Sequence, residues 1–166
     1  MPATYEPIAS VTLGVSTSSV IFNSIPQTYT DLVLVCNWQT SVDDDQLSIR
    51  FNSDSGSNYS WTQLYGNGVG AFSNRYSNES NLRIANYSTN ATYFPININH
   101  IMNYSNTTTY KNVLSRWQDV NAQICLQTGL WRSSSAITSL TLTSSNSSTI
   151  TLSSGSNFHL FGIKAV

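Results

Sequence analysis

Phe94-Pro95-Ile96-Asn97-Ile98-Asn99-His100-Ile101-Met102-Asn103-Tyr104 alternates apolar and polar residues over most of its length. A period of two sends successive side chains to opposite faces of a β-strand, so the stretch predicts a half-buried strand. Phe94, Ile96, Ile98, His100, Met102 and Tyr104 are expected on the core face, and Asn97, Asn99, Ile101 and Asn103 on the other, mostly polar one. His100, in register with core residues, reads as a hydrogen-bonded core histidine.

The same alphabet extends in both directions. Leu47, Ile49 and Phe51 alternate with Gln46, Ser48 and Arg50, while the apolar run Leu32 to Cys36, leading to Trp38, suits a central strand covered on both faces. Trp38 and Phe51 join Ile96, Ile98 and Met102 as expected core residues. Further strand candidates start at Ile8, Val20, Tyr59, Tyr110, Gln123, Ile137, Thr149 and Phe158, each set off by Ser, Asn, Gly or Asp, and Gly66-Asn67-Gly68 marks a hairpin. Residues Gly70 to Thr92 are less periodic and read as a long connection with one strand.

Ser, Thr and Asn make up 64 of the 166 residues, and only two Glu and two Lys are present. Ser and Asn compete for backbone hydrogen bonds outside helices and Thr is β-branched, so this composition opposes helix interiors. About ten strands without a helical period or a fixed repeat predict an all-β fold, an antiparallel two-sheet sandwich of jelly-roll type. Residues 1–7, with prolines at 2 and 7, are expected to form an extended arm, and 8–166 one domain.

Charge narrows the function classes. Only 9% of residues are charged, the net charge is -1, and the seven Lys and Arg form no cluster that would neutralise several phosphates, so nucleic acid is not an expected partner. No apolar run approaches the ~20 residues of a membrane-spanning helix, and no secretory leader is visible at Met1, which argues against a membrane partner and for synthesis in a cytoplasm. Cys36 and Cys125 lie in strand-like text and read as buried free thiols. The seven Asn-x-Ser/Thr sequons follow from composition alone.

Catalytic and metal-binding patterns are not expected. His100 and His159 have no local nucleophile or carboxylate partner in a recognisable motif, and no carboxylate pair is singled out as glycosidases require. Asp43-Asp44-Asp45 and Asn52-x-Asp54-x-Gly56 read as solvated loops rather than calcium sites. Tyr65, Tyr76 and Tyr87, in turn-rich text, suit packing or subunit contacts before sugar stacking. The expectation is a protein without cofactor or metal that is not an enzyme.

Several phrases resemble a group of phage virion proteins found in cyanophages and other aquatic phages. They are Tyr5 to Ala9 (YEPIA), Ser24 to Val35 (SIPQTYTDLVLV), Arg50 to Ser60 (RFNSDSGSNYS), Asn103 to Lys111 (NYSNTTTYK), Gly129 to Ser133 (GLWRS) and Phe161 to Ala165 (FGIKA). The resemblance implies a capsid decoration (cement) protein that binds the outside of the assembled shell as a homotrimer, with the major capsid protein as partner. The alternative is a tail-fibre or receptor-binding protein that contacts tail or baseplate proteins and the host surface. Either places the chain in the virion. Pro2, Tyr5 and Pro7, in the arm, are the expected capsid or neighbour contacts.

Overall fold

A computed structural model describes residues 4–42, 45–88, 94–118, 123–144 and 150–164. The described residues form an all-β sandwich of twelve antiparallel strands: β1 (Tyr5–Thr12), β2 (Ser19–Phe22), β3 (Asp31–Asn37), β4 (Asp45–Phe51), β5 (Tyr59–Gly66), β6 (Ala71–Glu79), β7 (Leu82–Ser88), β8 (Ile96–Met102), β9 (Lys111–Gln118), β10 (Ile124–Trp131), β11 (Leu140–Ser144) and β12 (Asn157–Ile163). Eight build one sheet in the order β1-β12-β3-β8-β9-β10-β5-β6, and four build the other in the order β2-β11-β4-β7.

This order contains a simpler one. Without the hairpins β5–β6 and β9–β10, the remaining strands form two sheets of four, β1-β12-β3-β8 and β2-β11-β4-β7, and the chain changes sheet at every step except β4 to β7. The two hairpins join each other through β10 and β5 and extend only the larger sheet, forming a wing of four strands.

Between the sheets, Leu32, Leu34, Cys36 and Trp38 from the β3 segment meet Leu47, Ile49 and Phe51 from β4 and Leu140 and Leu142 from β11, all at most 1% exposed. Gly129 of β10 lets the sheets approach closely: a Cβ there would lie 2.5 Å from a methyl carbon of buried Leu82 on β7. Both cysteines are free and buried, and burial raises both thiol pKa values, that of Cys125 to about 12.

Several expectations change. Residues Gly70 to Thr92 hold two strands, β6 and β7, within their described part: Tyr76 of β6 stacks on Trp61, and Leu82 and Ile84 of β7 are buried in the core. The candidate at Thr149 to Leu152 is no strand in its described part, where Leu152 makes isolated bridges to Thr17 and Thr40. The proposed arm also ends sooner. Tyr5, Glu6 and Pro7 pair with Ile163, Gly162 and Phe161 as the start of edge strand β1, while Pro2 lies outside the described residues. Asp45 opens β4 fully buried instead of standing in a solvated loop; Asp43 and Asp44 lie outside the described residues.

The largest correction concerns β8. Asn97, Asn99 and Ile101 are the inward residues, each 0% exposed, whereas Ile96 is 49% exposed and Ile98, His100 and Met102 are only partly covered on the opposite face. Ladder pairing fixes this parity: Asn97 and Asn99 lie across from Cys36 and Leu34 on one side and Trp117 and Ser115 on the other, all core-facing. The apolar face of β8 therefore points outward. His100 is not in the core; its Nε2 is 2.9 Å from an Asp31 carboxylate oxygen on the outer face.

The inward amides have a local use. β7 is an edge strand of the smaller sheet, and an edge strand leaves carbonyls without a ladder partner. Gln127 Nε2 donates to the Arg83 carbonyl, and Asn97 Nδ2 approaches the Ile84 carbonyl at 3.5 Å. Among the described residues, the side-chain oxygens of Asn97, Asn99, Gln63 and Gln127 have no hydrogen-bond partner.

Candidate functional site

The phrases that carry the resemblance, far apart in sequence, converge at two junctions. At the first, Asp54 closes the loop after β4: its carboxylate accepts from the backbone N–H of Gly56 at 2.8 Å, Asn58 Nδ2 at 2.9 Å and Trp131 Nε1 at 2.7 Å. Burial pushes the Asp54 pKa up, but these three donors outweigh it and hold the carboxyl below its ordinary value. Tyr59 and Phe51 pack against the Trp131 ring, and Asn52, at φ 52°, accepts from the backbone N–H of Thr138 at 2.8 Å. At this junction the loop that faintly suggested calcium is closed by the protein's own donors.

At the second junction, Tyr104 donates to the Pro26 carbonyl and accepts from the Tyr29 backbone N–H, while Asp31 receives Asn103 N–H at 2.7 Å beside His100. Gly162 leaves room for the Tyr29 ring, since a Cβ there would lie 2.3 Å from it. Lys164 lies 5.7 Å from that ring's centroid and 3.1 Å from Glu6. Both junctions build the fold.

The surface with chemistry to spare is the outward face of the wing. Alternation along β9, β10 and β5 sends Val113, Ser115, Trp117, Cys125, Gln127, Trp61 and Gln63 inward. The opposite parity leaves Leu64 59%, Leu114 38%, Ile124 66% and Leu126 50% exposed, and Ile96 of neighbouring β8 adds 49%. Register makes the patch continuous: Leu64 lies across from Leu126, and Leu126 from Arg116, which lies across from Ile98.

This face is grooved. A depression of about 700 Å³ involves Leu64, Arg116, Ile124 and Leu126; a neighbouring one of about 400 Å³ involves Ile96, Ile98 and Gln118. A third, of about 290 Å³, has a more polar lining than these two, with Ser60, Thr62, Arg75, Asn112 and Thr128 beside Leu130. Among the described residues, Arg116 and Arg75 make no ion pair and no carboxylate occupies an outward position of the wing.

Of the expected contacts, Tyr5 is 55% exposed and Pro7 sits on the open edge of the larger sheet, on β1, far along the strand order from the wing. Proline without an N–H, together with the bulge between Pro7 and Ala9, blunts that edge against strand addition. Tyr65 and Tyr76 are strand residues stacked on Phe72 at 5.3 Å and Trp61 at 4.7 Å, and Arg83 lies 5.0 Å from the Trp61 and Tyr76 ring centroids. The Tyr87 side chain lies outside what the structure describes. The wing's alternation at Leu114-Ser115-Arg116-Trp117 and Ile124-Cys125-Leu126-Gln127 was present in the sequence, but period two alone does not tell which parity faces the core.

No protein-family model matches the chain, and no curated protein matches it. Among solved structures, the alginate lyase Aly36B is similar at 5% sequence identity over 95% of this chain and 79% of that chain, with a TM-score of 0.31. Likeness at that level carries no argument about fold or activity.

Proposed function

We propose that this protein is a phage virion structural protein of jelly-roll type that works by binding, a decoration protein that attaches to the outside of the assembled capsid shell as a homotrimer. The observation that carries the binding role is the outward face of the wing. Its two hairpins add nothing to the pairing of the simpler two-by-four arrangement, yet they present large aliphatic side chains in a continuous patch. Contiguous exposed apolar surface on a folded domain marks an interaction site. Support for the jelly-roll type comes from the other eight strands, which form two sheets of four with the chain crossing between them at every step but β4 to β7. The virion assignment rests on the quoted phrases.

A protein that binds only the assembled shell stabilises it by mass action, because disruption must also break the added contacts. The test is the position of this protein in a low-resolution map of the intact particle, together with heat disruption of particles lacking it. Density on the shell and a lowered disruption temperature are expected. Density on the tail, with unchanged heat resistance and failed adsorption to cells, establishes the receptor-binding alternative instead.

A further inference from the structure

The size, charge and chemistry of the wing's outward face restrict its occupant. Strands lie ~4.8 Å apart and rise ~3.4 Å per residue, so the four wing strands and β8 span a plane of roughly 24 Å by 27 Å. That is about 650 Å² before side-chain relief is counted, close to the ~800 Å² per partner that a standard protein complex buries. The aliphatic centre is flanked by Arg116 on β9 and Arg75 on β6, neither paired with a carboxylate among the described residues. A like copy docked face to face by a two-fold axis would meet an arginine-bearing face that, among the described residues, offers no carboxylate in return. Sugar chains are commonly held against free aromatic faces, but the two rings that line the larger depression, Tyr65 and Phe72, are stacked on each other.

Building on the reading of this face as the adhesive surface, we propose that the wing docks an acidic protein segment: its carboxylates pair with Arg116 and Arg75, and its apolar side chains cover Leu64, Ile124 and Leu126. The ladder sets the spacing. Arg116 and Arg75 are three strands and two residues apart, about 16 Å between backbones, so an extended segment crossing the wing needs its carboxylates roughly four to six residues apart. Arginine suits this role because its planar fork takes a carboxylate in two parallel hydrogen bonds.

The experiment titrates the isolated protein with three probes by calorimetry at low and physiological salt. They are a soluble peptide with two glutamates five residues apart flanking leucines, the same peptide with lysines replacing the glutamates, and polygalacturonate. The glutamate peptide is expected to bind, to weaken with salt, and to lose at least tenfold in affinity when Arg116→Glu and Arg75→Glu are combined, while that variant gains affinity for the lysine peptide. Circular dichroism of the variant should match the parent, since both arginines are exposed. No binding of the glutamate peptide at millimolar concentration overturns the proposal. So does binding indifferent to the charge reversal, a preference for polygalacturonate, or self-association in sedimentation that Leu126→Glu abolishes. None of these results depends on where the protein sits in a particle, so the virion reading stands or falls separately.

Discussion

Replacing Trp131 with Phe isolates the staple that ties the loop after β4 to β10. In the native protein the indole N–H donates to the Asp54 carboxylate at 2.7 Å, and the ring packs on Phe51 and Tyr59 at centroid distances of 5.4 and 6.4 Å. Phe keeps part of the ring contact and removes the donor. A hydrogen bond to an ionised group contributes about 1.5–3 kcal/mol and a neutral one about 1 kcal/mol, so the indole's share depends on the charge of Asp54. The sign follows from linkage. Asp54 is held below its ordinary pKa in the folded state, so the stability that this contributes is present above the unfolded value of about 3.9 and is lost as pH falls through the folded one. Urea unfolding followed by far-ultraviolet circular dichroism should show the wild type losing stability between pH 5 and 2, and Trp131→Phe losing about 1–2 kcal/mol less over that window. At pH 7 the variant should be about 3 kcal/mol less stable. Parallel pH curves for the two proteins would refute the staple.

Further substitutions probe the packing. Gly129→Ala should cost about 1–3 kcal/mol by driving a methyl into Leu82, and distinctly less in a Leu82→Ala background, measured as a coupling energy by chemical denaturation. On β8, Asn99→Ala, which removes the amide that donates to the Leu34 carbonyl at 3.3 Å, should cost about 1–3 kcal/mol, whereas Ile96→Ser should stay within about 0.5 kcal/mol. Asp45→Asn should raise the unfolding free energy measured in urea at neutral pH by about 1 kcal/mol or more, because both carboxylate oxygens of Asp45 are buried without a hydrogen-bond partner among the described residues.

The class of fold was legible because period-two alternation and turn residues are local signals. Leu47, Ile49 and Phe51 face the core as their pattern predicts, and Gly66-Asn67-Gly68 turns between β5 and β6. The orientation of β8 was not legible, since parity depends on which face a second sheet covers. Apolar Ile96 and Ile98 sit outward because the larger sheet continues into a wing, while inward Asn97 and Gln127 meet the backbone of edge strand β7. For the same reason the docking face stayed hidden: Arg116, Leu126 and Leu64 are 62 residues apart at the extremes and become neighbours only through the β9–β10–β5 ladder. The six phrases were visible, but what they encode at the two junctions, an aspartate capped by an indole and a tyrosine seated over glycine, needed the third dimension.

Hydroxyl-radical footprinting of this protein free and on the particle addresses the proposed docking face most directly. The account predicts that Leu64, Leu114, Ile124 and Leu126 lose most of their reactivity on the particle while Tyr5 and Ile21, exposed on other parts of the sandwich, keep theirs. Unchanged reactivity across the wing, with protection at β1 or on the smaller sheet instead, would contradict it.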